Sequence, residues 1–190
     1  MEGASLLARD LACRRGDRLL FAGVSFTLDP GEALQVVGAN GTGKSSLLRI
    51  LAGLLRPFAG AVEKTGPVAL LDGNLPLDGH LPLGRALAFW ERIDGVNEAL
   101  GWGPSGLVDV PVRFLSTGQR KRAAIAQSHP RTGGIWLLDE PLNGLDARAA
   151  ASLQGHVARH CGAGGIAVIA SHQPFALPGL RQVDLAEFAA

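Results

Sequence analysis

Residues 38–45 read GANGTGKS and fit G-x-x-x-x-G-K-[ST], the pattern of a phosphate-binding loop. The preceding stretch, ALQVV at 33–37, is an apolar run of strand length. Beyond the loop, Leu47, Leu48, Ile50, Leu51, Leu54 and Leu55 recur at helical spacing. Strand, glycine loop and helix in that order turn a pattern match into a predicted site. Gly38, Gly41 and Gly43 let the backbone bend, so that N–H groups along Ala39, Asn40 and Thr42 converge on one hollow. The helix start at Ser45 and Ser46 adds partial positive charge, which favours an anion. Lys44 is placed to reach the β- and γ-phosphates of a nucleoside triphosphate, and the Ser45 hydroxyl to ligate Mg²⁺. A glycine-rich turn without a ligand is the structural alternative. With 26 Gly in the chain but Lys only at 44, 64 and 121, the full pattern is a rare accident, rarer still between strand and helix.

The bulk properties narrow the class. A chain of 190 residues makes one domain, and 47% hydrophobic residues suffice for a sizeable core. A net charge of +1 with 18% charged residues argues against a nucleic-acid footprint, which needs a basic excess. Cys13 and Cys161 lie far apart and outside any C-x-x-C, so a reduced cytosolic setting is expected. The opening MEGASLLARDL has early acids and no long apolar run, so no signal peptide is expected. The longest uncharged stretch, 161–180, contains His172, Pro174 and Pro178 and cannot span a membrane. Any membrane role must come through a partner.

Along the chain, residues 6–11 and 24–28 read as strands, separated by a polar turn at 13–18. Pro57 and Gly60 close the segment after the first helix, and Val62 and 68–71 mark further short strands. Residues 72–82 read as an exposed loop, 85–93 as a helix, and 95–111 as irregular with a short helix at 96–100. LSTGQ then occupies Leu115, Ser116, Thr117, Gly118 and Gln119, followed by Arg120, Lys121, Arg122 and a helical run at 123–128. Ser116 is placed as an N-cap, and Gly118 permits close backbone approach, so this helix start too is suited to face phosphate. Taken alone, it is also what any capped helix looks like.

IWLL at 135–138 has the continuous apolar character of a parallel-sheet strand and runs into Asp139 and Glu140. Two acids at such a strand end stand where open α/β sheets bind ligands. Asp139 suits a Mg²⁺ shell, and Glu140, one step on, an attacking water. Asn143 to Asp146 form a turn in which Asp146 can cap a helix over 147–160. A second buried strand at 166–169 ends at Ser171-His172-Gln173. A lone histidine is more often structural, but here its strand belongs to the sheet that carries the phosphate site, which favours a γ-phosphate contact. Residues 183–185 read as an edge strand.

In this order, GANGTGKS, LSTGQ, IWLLDEP, NGLD and SHQ resemble an ABC-type ATPase over nearly the whole chain. DVPVRFLSTGQRKR, ASHQPFALPG and LACRRGDRLLF resemble, more narrowly, the ATP-binding subunit of the cytochrome c maturation transporter, the haem exporter protein A family. The resemblance implies an α/β fold: a phosphate-loop core with a mixed sheet, an antiparallel β subdomain and a small helical subdomain. It implies one nucleotide-binding domain over 1–190, with a core of about 1–72 and 115–190 and a helical lobe of about 73–114. ATP and Mg²⁺ are the implied cofactors. Two copies would form a homodimer on ATP binding, LSTGQ of one closing over the ATP of the other. Glu140 would orient the water, His172 would hold the γ-phosphate and Asp146 would link the two sites. The implied partners are the membrane-spanning subunits of the cytochrome c maturation system, with no nucleic acid. The implied location is peripheral, on the cytoplasmic face of the bacterial inner membrane.

Three departures stand out. The aromatic that stacks on adenine in such ATPases is replaced by Arg15, which can stack through its guanidinium plane. The loop glutamine that senses Mg²⁺ is replaced by Asn74, the same amide on a shorter arm, and the helical lobe is short. Other readings are the ATPase subunit of a different ABC exporter, a soluble ABC ATPase on nucleic acid or ribosomes, or a small phosphate-loop kinase. The soluble ATPase lacks its coiled-coil insertion, second cassette or basic surface, and the kinase leaves LSTGQ unexplained. For docking a membrane partner, the surface expected is 72–82 with the helix after it, including Leu75, Leu77, Leu81, Leu83, Phe89 and Trp90. The alternative for these residues is a satellite core.

Overall fold

The computed structural model describes residues 3–73, 77–94, 106–130 and 133–189. In chain order the elements are β1 (Ser5–Arg15), β2 (Arg18–Leu28), β3 (Ala33–Val37), α1 (Lys44–Ala52), β4 (Ala59–Thr65) and β5 (Val68–Leu71). They continue with α2 (Leu83–Asp94), α3 (Thr117–Gln127), β6 (Ile135–Asp139), α4 (Ala147–Gly162), β7 (Ile166–Ala170) and β8 (Arg181–Asp184). Short 3₁₀ turns occupy Val112–Phe114 and Leu185–Phe188.

The strands form two sheets. β2, β1 and β4 pair antiparallel, whereas β5-β6-β7-β3-β8 pair in parallel throughout. The mixture of directions is therefore divided between the sheets. The hairpin β1–β2 is longer than its apolar pattern suggests. Arg14 pairs with Leu19 and Arg15 with Arg18, around a turn in which Gly16 takes φ 58°. Arginines continue a strand at no cost when their side chains stand in water, and these do.

Alternation along the parallel strands divides the core. Ile135 and Leu137 face α1, whose Leu47, Leu48, Ile50 and Leu51 are wedged between the two sheets. Trp136 and Leu138 face the other side, where Ile125 of α3 and Leu153 and Val157 of α4 cover them. Removing one such buried leucine to alanine costs about 2–5 kcal/mol.

A third, smaller cluster gathers Leu83, Ala86 and Leu87 of α2 with Val112, Leu115 and Ala123. Leu77 and Leu81 pack against it. This is the satellite-core alternative for these residues: Leu83 is buried in the cluster and Leu77 and Leu81 are partly buried against it, while among the described docking candidates Phe89, 49% exposed, keeps a large apolar face in water. Leu75, Asn74 and the helix expected at 96–100 lie outside the described residues.

The sheet order decides where chemistry can occur. β6, β7 and β3 are consecutive neighbours, all parallel, so their carboxyl ends bring Asp139, the segment after Ala170 and the loop after Val37 to one edge.

Candidate active site

The phosphate loop is held open by backbone geometry. Gly43 serves twice: its φ of 107° suits glycine, and a Cβ there would fall 2.9 Å from the Phe21 ring of β2. Gly43 is also the N-cap of α1 and supplies no side-chain cap, so the N–H groups of the helix's first turn remain for an external acceptor. Thr42 braces the loop by donating its hydroxyl to the Ala39 carbonyl at 2.9 Å. The Lys44 side chain is only 6% exposed. Its ammonium donates to the carbonyls of Gly38 (2.8 Å) and Ala39 (3.1 Å) and lies 3.8 Å from Glu140 Oε1.

Across the edge, Glu140 sits between two basic groups. Its Oε2 accepts from His172 Nδ1 at 2.9 Å, so that nitrogen carries a proton. The carboxylate is thus aimed by a lysine from the loop and a histidine from the end of β7. The Glu140 backbone is left-handed, φ 45°, a conformation uncommon for a residue with a side chain. A cavity of about 260 Å³ lies beside it, lined by Arg15, Leu20, Asn40, Gly41, Gly43, Lys44, Ser45, Ser46 and Glu140.

Asp139 carries the orphaned group of the site: its Oδ1 is buried and accepts no hydrogen bond from any described residue. Burial pushes its carboxyl above the ordinary range. The Ser45 hydroxyl and Arg49 oppose that shift, and the charges of Glu140 and Asp72 add to it. A desolvated carboxylate oxygen beside a serine hydroxyl is a hard-oxygen pair of the kind Mg²⁺ takes. The residues present fit the ion.

LSTGQ stands apart, since none of Leu115 to Gln119 lines the cavity. Ser116 Oγ accepts from the Gln119 N–H (3.2 Å), and the Gln119 side chain returns the bond to the Ser116 N–H (2.8 Å), a complete capping box on α3. Leu115 turns into the satellite core. The glycine at 118 has a local reason as well, because a Cβ there would meet the Gly144 carbonyl at 2.9 Å. LSTGQ and NGLD are therefore packed on each other. Asp146 caps α4 by accepting from the Ala149 N–H at 2.8 Å.

The ABC transporter family model matches residues 21–143. The cytochrome c biogenesis ATP-binding export protein CcmA of Novosphingobium aromaticivorans is 56% identical over 190 residues, covering 99% of each chain. The CcmA protein of Zymomonas mobilis is 48% identical, covering 98% of this chain and 87% of its own. The chain belongs to the CcmA family of ABC transporter ATP-binding proteins. A putative ABC transporter ATP-binding protein from Pyrococcus furiosus shares the fold with a TM-score of 0.85 at 20% identity, over 98% of this chain and 100% of its own.

In this CcmA family member, two site-edge residues had gone unread in the sequence. Arg49 of α1 bridges to Asp72 at 3.2 Å, beyond the end of β5. Lys121 of α3 donates to the Glu140 carbonyl at 3.1 Å. Burial pushes its ammonium below the ordinary lysine range, against the pull of Asp139, Glu140 and Asp72. The available signal was scarcity: in a chain with 18 Lys and Arg, a lysine between two arginines is a choice for a compact charge.

Proposed function

We propose that the chain is the ATP-hydrolysing subunit of a membrane export complex serving cytochrome c biogenesis. The observation that carries the reading is the Glu140 carboxylate held between Lys44 (3.8 Å) and His172 (2.9 Å) at the cavity of the phosphate loop. The export role in the names of the CcmA relatives supports the setting.

In this reading the loop amides and Lys44 receive the β- and γ-phosphates. Ser45 and the buried oxygen of Asp139 would hold Mg²⁺, which supplies charge neutralisation as the phosphoryl group leaves. Asn74 contributes the amide of the missing glutamine. Glu140 takes the proton of the attacking water, and His172, its Nδ1–H committed to Glu140, would donate Nε2–H to the γ-phosphate in its doubly protonated form. Arg15, at the rim, lies flat on the base and accepts ATP and GTP alike, because a guanidinium plane reads a π-face and not base edges.

LSTGQ serves the ATP of a second copy, which explains why it caps a helix outside its own cavity, and Asp146 lies beside that interface. The unit is a single nucleotide-binding domain whose lobe, 73–114, faces membrane-spanning subunits of the cytochrome c maturation system. Among the described residues no helix is long and apolar enough to cross a membrane, in keeping with peripheral attachment at the cytoplasmic face of the bacterial inner membrane. The net charge of +1 speaks against a nucleic-acid partner.

Glu140→Gln tests the reading. The amide cannot accept a proton, so turnover falls by about 10²–10⁴-fold while ATP binding remains, and a closed dimer accumulates on size-exclusion chromatography. Turnover near that of the parent would place the base elsewhere.

A further inference from the structure

Glu140 is not held by its own conformational preference. Its left-handed backbone is fixed from two sides: its N–H donates to the Ala170 carbonyl of β7 at 2.8 Å, and its carbonyl accepts from Lys121 at 3.1 Å. Those two bonds orient the peptide and so aim the side chain between Lys44 and His172. Lys121 is costly for this purpose, since burial opposes its charge and a neutral donor would satisfy a carbonyl equally well. What a lysine adds is reach and a charge placed among Asp72, Asp139 and Glu140.

The helix that carries it has an unusual position. Ala123 of α3 lies in the satellite core with α2, while Ala124 and Ile125 lie in the core under the parallel sheet. α3 is thus shared by the lobe and the sheet. It starts at LSTGQ, and its fifth residue touches the backbone of the base.

We propose that Lys121 is a positioning residue for Glu140, tying the aim of the hydrolytic base to the place of the LSTGQ helix. The inference rests on Glu140 being that base. When α3 is seated, the Lys121 bond holds Glu140 toward its two basic neighbours; when α3 shifts with the lobe, the bond is released and the carboxylate loses its aim. Closure of LSTGQ over nucleotide would then reach the chemistry through one side chain of the same helix.

The test compares full-length Lys121→Met, Lys121→Arg and Glu140→Gln in ATP turnover, fluorescent ATP-analogue affinity and melting temperature. Since a misplacement of about 1 Å can cost about 10²-fold, Lys121→Met is expected to lower kcat by about tenfold or more. ATP affinity stays within about threefold, and Lys121→Arg recovers most of the rate. Parent-like kcat in Lys121→Met overturns the proposal. So does a joint loss of kcat and affinity that Lys121→Arg does not repair, which would mark a structural lysine. If Lys121→Met does not fold, Lys121→Gln is judged by the same criteria. Should Glu140→Gln itself turn over normally, the base assignment falls, and this inference with it. An inactive Glu140→Gln beside a fully active Lys121→Met removes only the role of Lys121.

Discussion

Two histidines flank the ends of β7 and lead opposite lives. At the carboxyl end, His172 has a side chain 49% exposed and bonds a carboxylate, Glu140 Oε2. At the amino end, His160 of α4 is 4% exposed. Its Nε2 lies 3.0 Å from the Gly134 carbonyl and 3.2 Å from that of Ile166, and its ring meets Trp136 and His129 edge-on. The first ring keeps a nitrogen for a substrate. The second spends its N–H on strand-end carbonyls and joins the core. Residue type says nothing about which is which. Partner chemistry does: a carboxylate at the cavity aims an imidazole toward substrate, whereas strand-end carbonyls fasten it in the core.

Mutation gives the sharpest test of that contrast. His172→Ala should lower kcat by about 10²–10⁴-fold, the usual worth of a positioned acid–base partner, and leave the melting temperature nearly unchanged. Steady-state turnover beside thermal unfolding reads both. A large loss of stability with little loss of rate would erase the contrast.

His160→Ala should behave in the opposite way. It takes a donor from the Ile166 carbonyl and one of two from that of Gly134, which keeps the Ile166 N–H at 3.0 Å, and opens a void against Trp136, for a loss of about 2–4 kcal/mol in urea unfolding. Turnover per folded molecule should stay at the parent value. A fall in kcat at unchanged stability would show that the amino end of the sheet also bears on catalysis.

The smallest effect is in pH. Burial, with the neighbouring His129, holds the His160 imidazole below the ordinary histidine value of 6.5, against its two carbonyl bonds. The unfolded chain therefore binds a proton that the folded one refuses, so this residue's contribution is complete above pH 6.5 and lost as pH falls below it. Between pH 7.5 and 5.5 the parent should lose more stability than His160→Ala. Asp139, whose carboxyl is raised, contributes the opposite slope at lower pH, but equally in both proteins. Identical slopes would mean that the fold does not hold the His160 imidazole below its ordinary value.

Much of this arrangement can be read before folding. ALQVV, IWLLD and IAVIA are continuous apolar runs because helices cover both faces of their sheet, and that makes them legible. The acids at the end of β6 and the loop after β3 follow from adjacency. The antiparallel sheet is harder. β4 reads AGAVEKT, a weak pattern, and it pairs with β1 across a register shift near Asp10, whose φ is 47°. Bulges leave little trace in composition. The sequence leaves Leu77 open between docking face and satellite core, because small clusters and docking faces share one vocabulary of leucines. Gly118 was expected to make room for phosphate, yet its near neighbour is the Gly144 carbonyl, a long-range contact that local spacing does not announce.

The left-handed backbone at Glu140 has a consequence for anyone improving this protein in the laboratory. Glycine or asparagine would occupy φ 45° with less strain, by about 1 kcal/mol, and would also dilute the crowd of negative charge around Asp139. A library screened for heat resistance alone will therefore enrich replacements at 140, and its hardiest survivors will be the ones that no longer turn over nucleotide.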